Sequence, residues 1–292
     1  MAEALKIAIL TVCYNRREKT LKFLESLFNQ QGVDLRLADI YILDDGSTDG
    51  TAQAVKKKFP RVDVLTGTGN LFWAAGMRTL WQHALHRRRY DIFLLFNDDV
   101  VLYPDAVKRL IDYYMQFNKS GTILIGSVVN PVTNKVSYGG NIFRVHPFKF
   151  TSYSLINPDA STAIPCMFGN ANILLIDEIT VNKIGVLADI YTHYMADFDY
   201  TYTAYKAGVQ VLISPGFYGY CKDDTVFKWL PLSSSLKERI QYLYSPKGLT
   251  LKEYMLFIKK HFPNSYVTEF AKMWLKTLFP FIWDKFKPKK QL

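Results

Sequence analysis

Short apolar runs alternate with amphipathic segments over most of this sequence. KIAILTV and DIFLLFNDD are rich in Val, Ile, Leu and Phe, as strands buried on both faces are, whereas EKTLKFLESLFNQ repeats its leucines at helical spacing. Parallel strands need crossover connections, which are usually helices. The alternation therefore predicts an α/β fold with a mostly parallel sheet flanked by helices.

The predicted elements fill the chain as far as about residue 220, with an irregular, aromatic-rich stretch at 121–150. We found no internal repeat, so one domain over 1–245 followed by a tail over 246–292 is the simplest division. The patterns predict strands at 6–12, 39–45, 61–67, 91–99, 171–176 and 209–215, and helices at 18–30, 51–59, 71–88, 104–117 and 194–208.

Cysteine usage and the N-terminus indicate a cytoplasmic protein. Cys13, Cys166 and Cys221 are odd in number and far apart, so neither a disulfide framework nor a thiolate zinc site is indicated. The apolar stretch after Glu3 is too short for a signal-peptide core or a membrane span, so we interpret it as a buried strand.

Most of the net charge of +10 lies in the tail. Residues 246–292 contain ten lysines and three acids, a net charge of +7, and mix the lysines with aromatic residues in VTEFAKMWLKTLFPFIWDKFKPKK. This composition is typical of a helix lying on an anionic membrane surface. The alternative is a helical hairpin packed on the domain with solvated lysines. Nucleic-acid binding is disfavoured because no recognition motif accompanies the charge.

Two acidic clusters follow predicted strands. Asp44 and Asp45 follow the second strand, and Asn97, Asp98 and Asp99 follow the fourth. The carboxyl ends of strands in an open parallel sheet form the rim where ligands bind, so we expect both clusters to face one crevice. A divalent cation such as Mg²⁺ or Mn²⁺ would relieve their repulsion. Alternatively, each cluster closes its strand as a turn former or helix cap.

Four motifs in this order resemble the signature of family 2 glycosyltransferases with the GT-A fold: TVCYNR, DDGSTDG, NDD and ADFDYTYTAYKAG. The resemblance covers about residues 6–220. GTGNLFWAAGMR is similar to a stretch of bacterial rhamnosyltransferase-type members that build surface polysaccharides such as O-antigen or capsule. The resemblance implies inverting transfer from a UDP- or dTDP-sugar to a growing, lipid-linked glycan at the cytoplasmic face of a membrane.

The resemblance also implies a donor site. Its nucleobase pocket would be lined by Thr11 and Tyr14, with Asp44 or Asp45 accepting hydrogen bonds from the base or ribose. Asp99 would bind Mg²⁺ or Mn²⁺, and the cation would stabilise the leaving diphosphate. The remaining residues of the implied donor site are Arg16, Gly69, Asn70, Trp73, Arg78, Asn97 and Asp98.

Asp197 matches the family's catalytic base in ADFD, and a predicted helix start favours its ionised form. Asp199 would be a supporting hydrogen-bond acceptor, and it would lie on the acceptor side together with His193 and Asn170. Alternatively, both aspartates merely complement the helix dipole.

Two other functions remain open at this point. A sugar nucleotidyltransferase also uses an α/β sheet and a metal, but TVCYNRRE stands where its glycine-rich basic loop is expected. A non-catalytic nucleotide- or glycan-binding scaffold is the second, because Ala196 stands where the family usually has Glu.

Overall fold

The computed structural model describes residues 5–117, 121–146, 151–222, 234–246 and 248–281. The chain forms two compact units. The first comprises residues 1–142, 154–192 and 196–223, and the second comprises 143–153, 193–195 and 224–292. The domain boundary expected at residue 245 stays a prediction.

Thirteen strands lie within the described residues, most of them in one large mixed sheet with the order β10-β13-β6-β12-β4-β1-β2-β3. β5 pairs with β13, β7 pairs with β6, and a second sheet has the order β11-β8-β9. The strands are β1 (Ile7–Cys13), β2 (Asp39–Asp44), β3 (Asp63–Thr66), β4 (Ile92–Asn97), β5 (Val101–Leu102), β6 (Thr122–Val129), β7 (Val136–Tyr138), β8 (Gly140–Val145), β9 (Thr151–Leu155), β10 (Ile164–Pro165), β11 (Phe168–Gly169), β12 (Ile173–Asp177) and β13 (Gln210–Tyr220).

Nine α-helices lie within the described residues, and α1 to α6 connect the strands. They are α1 (Arg17–Phe28), α2 (Thr51–Lys58), α3 (Phe72–Arg87), α4 (Ala106–Tyr114), α5 (Glu178–Ile184), α6 (Ala196–Lys206), α7 (Leu236–Tyr244), α8 (Leu251–His261) and α9 (Tyr266–Leu278). The predicted α/β fold with a mostly parallel sheet and a helical C-terminal part is confirmed.

The parallel core of the sheet is formed by β3, β2, β1 and β4. Next to it β12 runs antiparallel to both β4 and β6, while β13 is parallel to β6. The sequence of β12 does not indicate its antiparallel direction, because a strand buried on both faces is apolar throughout whichever way it runs.

Hydrophobic residues cover both faces of the sheet. Ile7 and Ile9 of β1 belong to a cluster that includes α1, whereas Ala8 and Leu10 belong to a cluster on the other face that includes α3. All of β1 is buried, as the run KIAILTV predicts. The helices on either face thereby fix the strand ends that carry the polar clusters.

The second unit contains α7, α8 and α9. A complete capping box between Ser235 and Glu238 begins α7. Phe143 stacks against Phe257 of α8 with ring centroids 5.7 Å apart, and lies 4.7 Å from the ring of Phe262. No helix in the described part of the chain is long and apolar enough to cross a membrane.

Candidate active site

Three parallel strands end at one edge of the sheet and bring the polar clusters together. In the register, Cys13 at the end of β1 pairs with Asp44 at the end of β2, and Val12 pairs with Asn97 at the end of β4. The loops that follow these strands therefore start at nearly the same level. The expectation that Asp44 and Asn97 reach the same rim is confirmed.

Asp45 organises the glycine-rich segment that precedes α3. Its Oδ1 accepts the backbone N–H of Gly69 (2.8 Å), and its Oδ2 accepts those of Leu71 and Phe72 (2.9 Å each). The carboxylate is buried, with 3% of the residue exposed. Asp45 thus holds the start of α3, and its predicted contact with a nucleotide stays a prediction. Neighbouring Asp44 accepts the N–H of Ser47 at 2.9 Å.

The backbone of the glycine-rich segment approaches Asp45 too closely for a side chain. A Cβ atom at Gly67 would lie 2.5 Å from Oδ1 of Asp45, and Gly69 has a φ of +86°. Phe72 also adopts a positive φ of 53°, which is costly for a bulky residue. Such strain persists only where the surroundings enforce it, and here the hydrogen bond from Phe72 N–H to Asp45 does so.

The loops after β1 and β2 are joined by hydrogen bonds. Asn15, with a φ of 48°, donates its N–H to Ser47 Oγ (2.8 Å), and its Oδ1 accepts the N–H of Thr48 (2.7 Å). Asp49 accepts the N–H of Arg17 at 3.0 Å. Sequence reasoning missed this junction, although Asn and Asp in turns are the available signal. Tyr14 is held beside it with 41% of its surface exposed.

Asp98 and Asp99 form an acidic pair that Arg16 bridges. Arg16 Nη1 lies 3.1 Å from Asp98 Oδ1 and 2.9 Å from Asp99 Oδ2, and Thr20 donates to Asp98 at 3.2 Å. Burial raises the pKa of Asp98 to about 6, although the Arg16 charge acts to lower it. Lys19 lies 3.9 Å from Asp99. These contacts join the loop after β1 to the acidic pair after β4, and the predicted donor and metal contacts of these residues stay predictions.

The donor set at the end of β4 fits a hard divalent cation. Asp99 supplies carboxylate oxygens, and the side-chain Oδ1 of Asn97 is buried with no hydrogen-bond partner among the described residues. Mg²⁺ and Mn²⁺ are commonly held by one or two carboxylates together with substrate phosphates. No group of three or more His, Cys, Asp or Glu suited to a metal occurs within the described residues. The remaining ligands of a cation bound there would be water or substrate phosphates.

Asp197 lies in the first turn of α6, facing the segment between β11 and β12. Its Oδ2 accepts the N–H of Ala171 (3.1 Å), and its Oδ1 accepts the N–H of Phe198 (2.9 Å). Burial raises the pKa of Asp197 to about 6, against the lowering effect of these two donors. A carboxylate poised near neutrality can both accept and hold a proton at physiological pH. Asn170 precedes Ala171 and donates its N–H to Gly139 at 3.2 Å.

Hydrogen bonds also fix the loop that leads to α6. Arg78 donates to the carbonyl oxygens of Ala188 (2.9 Å) and Tyr191 (3.3 Å), so it ties α3 to this loop. The phenol of Tyr191 donates to Asp199 (3.1 Å), which is only 2% exposed. Asp199 is thus a hydrogen-bond acceptor within the protein. The predicted places of Arg78 in the donor site and of Asp199 on the acceptor side stay predictions.

The remaining predicted site residues occupy diverse positions. Thr11 lies inside β1 and is 1% exposed, and Trp73 is half-buried against the core with its indole N–H unpaired within the described residues. Asn70 is exposed. His193 belongs to the second unit, where its backbone N–H lies 3.4 Å from Glu253 Oε2.

Sequence reasoning did not single out Thr20, whose hydroxyl donates to Asp98 from the first turn of α1.

Comparisons with known proteins agree with this architecture. Residues 8–176 match the family model for glycosyl transferase family 2. No curated protein matches the sequence significantly. This chain is similar in structure to the mannosyltransferase PcManGT from Pyrobaculum calidifontis, which was solved in complex with GDP-Man and Mn²⁺. The TM-score is 0.52 and the sequence identity 15%, and the match covers 82% of this chain and 61% of that chain. This chain therefore spans about three fifths of that chain's length.

A second solved structure, S. aureus TarS 1-349, is similar with a TM-score of 0.56 and 14% identity over 95% of this chain and 80% of that chain. At these identities the two structures show the fold alone, which is that of GT-A glycosyltransferases. The family model covers more than half of the sequence. The chain therefore belongs to glycosyltransferase family 2.

Proposed function

We propose that this protein is a metal-dependent inverting glycosyltransferase. It moves a sugar from a UDP- or dTDP-sugar to a lipid-linked glycan, in the rhamnosyltransferase-type synthesis of a bacterial surface polysaccharide. The observation that supports this most strongly is the pairing of an acidic strand rim with the separate, half-buried carboxylate of Asp197 in the same compact unit. Inverting transfer needs both a site for the leaving diphosphate and a base.

The donor nucleotide would lie along the strand ends. Exposed Tyr14 offers an aromatic face for the base, and Asp44 offers an acceptor for the base or ribose. Asp45 holds the glycine-rich segment in place, and the backbone from Gly69 to Asn70 would approach the sugar and diphosphate. The donor is thereby positioned by groups fixed before it binds, which limits the entropy cost of binding.

Asp99 and Asn97 would hold a divalent cation together with the diphosphate of the donor. Such an ion would supply charge neutralisation to the leaving nucleoside diphosphate. Arg16 now neutralises Asp98 and Asp99, so it is placed to release Asp99 and remain with Asp98 when the ion binds. Asp98 would keep the loop after β1 in position through Arg16 and Thr20.

Asp197 would act as the base at the acceptor. Its carboxylate takes the proton of the acceptor hydroxyl while that oxygen bonds to the anomeric carbon of the sugar. The bond between this carbon and the diphosphate oxygen breaks, and the nucleoside diphosphate leaves with the electron pair. Attack from the face opposite the diphosphate inverts the anomeric configuration. The hydrogen bonds from Ala171 and Phe198 keep the carboxylate oriented throughout.

We also propose that the protein works at the inner face of a cell membrane, where a lipid-linked acceptor would be presented. The cationic composition of residues 246–292 supports this location, because anionic lipids attract clustered lysines. Residues 282–292, which carry part of that charge, lie outside the described residues.

The test is release of nucleoside diphosphate from a panel of UDP-, dTDP- and GDP-sugars, with Mn²⁺ and a membrane extract as the acceptor source. We expect acceptor-dependent release from a pyrimidine nucleotide sugar. Asp197→Asn should abolish transfer and keep donor binding, while Asp189→Asn, on the exposed part of the preceding loop, should retain activity.

Each alternative function has its own outcome in this test. Nucleotide binding without any release would favour a non-catalytic scaffold. Formation of a nucleotide sugar from a sugar phosphate and a nucleoside triphosphate would favour a nucleotidyltransferase. Undiminished turnover by Asp197→Asn would remove this residue from the mechanism.

A further inference from the structure

Helix α9 exposes most of its apolar side chains and buries polar ones, together with Met273 at 6% exposure. Glu269 and Thr277 are 0% exposed, whereas Val267, Phe270 and Leu275 are 76%, 43% and 45% exposed. A helix on the surface of a globular protein normally turns its apolar stripe toward the core and its polar residues toward water. The orientation of α9 is the reverse of that rule.

A buried hydrogen-bond network fixes this orientation. The carboxylate of Glu269 accepts the hydroxyl proton of Thr151 (3.1 Å) and of Tyr254 (2.6 Å), and Lys272 Nζ lies 2.6 Å from its Oε2. The backbone N–H of Thr151 also donates to Glu269. Rotating α9 to bury its apolar stripe would leave these groups without partners, which is costly for a buried carboxylate. The outward apolar face is therefore enforced by the fold.

The exposed apolar residues form one continuous strip. Positions 267, 270, 274 and 278 recur at intervals of three and four, and position 275 lies beside them, so all five face one side of the helix. Trp274 is half-buried and the others are exposed. From position 267 to position 278 the strip rises by eleven residue steps, so it is about 17 Å long at 1.5 Å per residue. Exposed Phe279 and Phe281 follow directly after it.

The exposed charge of the segment that carries this strip has one sign. Among the described residues from 248 to 281 the acids are Glu253 and Glu269, and both are buried, at 8% and 0% exposure. Lys252, Lys259 and Lys260 of α8 are exposed. The accessible charge of this segment is therefore cationic. A second copy of the chain would bring like charges together, whereas an anionic lipid surface would be attracted.

We propose that the outward face of α9, from Val267 to Leu278, inserts into the interface of an anionic bilayer. This inference deepens the proposed membrane location and rests on it. Aromatic and aliphatic side chains enter the boundary of the acyl chains, and the lysines contact the head groups, as in other interfacial helices. The polar stripe with Glu269 stays on the protein side. Membrane contact would thus cover the apolar strip that the fold leaves exposed.

The test is co-sedimentation of the full chain with vesicles of phosphatidylcholine alone or mixed with phosphatidylglycerol. We expect binding to the anionic vesicles that weakens as salt is added. The double variant Phe270→Asp/Leu275→Asp should bind at least about tenfold more weakly, because it removes two apolar anchors and adds two anions. Leu37→Asp, at a 56% exposed leucine of the first unit, is the matched control and should bind as the wild type.

Circular dichroism of each variant establishes that it is folded before binding is compared. Equal binding by the double variant and the wild type would overturn the proposal. So would a dimer that Phe270→Asp dissociates, because the face would then be an interface between copies. Vesicle binding needs neither donor nor acceptor, so its absence contradicts this surface, whereas absence of sugar transfer contradicts the proposed function.

Discussion

Replacing Asp45 by Asn tests whether this carboxylate holds the glycine-rich segment at the start of α3. The carboxylate accepts three backbone N–H groups, one on Oδ1 from Gly69 and two on Oδ2 from Leu71 and Phe72. Asn keeps the size of the side chain but has a single oxygen. In its best orientation that oxygen serves Leu71 and Phe72, and the amide NH₂ then faces the N–H of Gly69.

The expected cost follows from these contacts. One hydrogen bond to a charged acceptor is lost, which is worth about 1.5–3 kcal/mol, and the other two lose their charge assistance. We therefore expect the free energy of unfolding to fall by about 3 kcal/mol. For a unit of this size, that loss lowers the Tm by roughly 6–12 °C.

Urea denaturation and calorimetry measure both quantities. Asp34→Asn is the matched control, because Asp34 also accepts a backbone N–H, from Arg36, but its side chain is 42% exposed. We expect a much smaller change there. The affinity for a nucleotide should fall in Asp45→Asn because the segment loses its shape. An unfolding free energy within about 0.5 kcal/mol of the wild type would refute the positioning role, since that is the range of ordinary surface substitutions.

Three further predictions follow from individual contacts. Burial raises the pKa of Asp197 to about 6, and a general base must be ionised, so kcat should fall tenfold per pH unit below about pH 6. A kcat that does not change from pH 5 to 8 would contradict the role of Asp197 as the base. Glu269→Gln should lower the free energy of unfolding, measured by urea denaturation, by about 3 kcal/mol. Asp112→Asn, which removes an exposed ion pair, should lower it by less than about 0.5 kcal/mol. Equal changes in the two variants would show that the buried network adds no stability. Gly140→Ala should lower the free energy of unfolding by about 1–3 kcal/mol, because its Cβ would lie 2.3 Å from Ile213. Ile213→Ala should be less destabilising in the Gly140→Ala variant than in the wild type, since it removes this clash. Additive effects of the two substitutions would show that the strain lies elsewhere.

The main strands and helices of the first unit could be predicted from sequence because their burial is local in origin. The run at β1 is apolar throughout since helices cover both faces of the sheet, and the elements that follow have clear helical spacing. The direction of the strands could not be predicted in the same way. The side chains of β12 are buried on both faces whichever way it runs, so its antiparallel pairing with β4 left no mark in the pattern.

Within the site, the sequence predicted which strand ends meet but not what each carboxylate contacts. Asp44 and Asp45 are adjacent and alike in the sequence, yet Asp45 turns toward the backbone of residues 69–72. The orientation of α9 is a similar case. Glu269 is buried because Thr151, 118 residues earlier in the chain, meets it, and no local pattern encodes that contact.

Calorimetric titration of nucleoside diphosphates tests the central claim most directly. The wild type and Asp99→Ala are each titrated with UDP, dTDP, GDP and ADP, with and without Mn²⁺. We expect a pyrimidine diphosphate to bind only when Mn²⁺ is present, and Asp99→Ala to remove this binding. Binding that is equal without the metal, or unchanged in Asp99→Ala, would contradict a metal-dependent donor site at the end of β4.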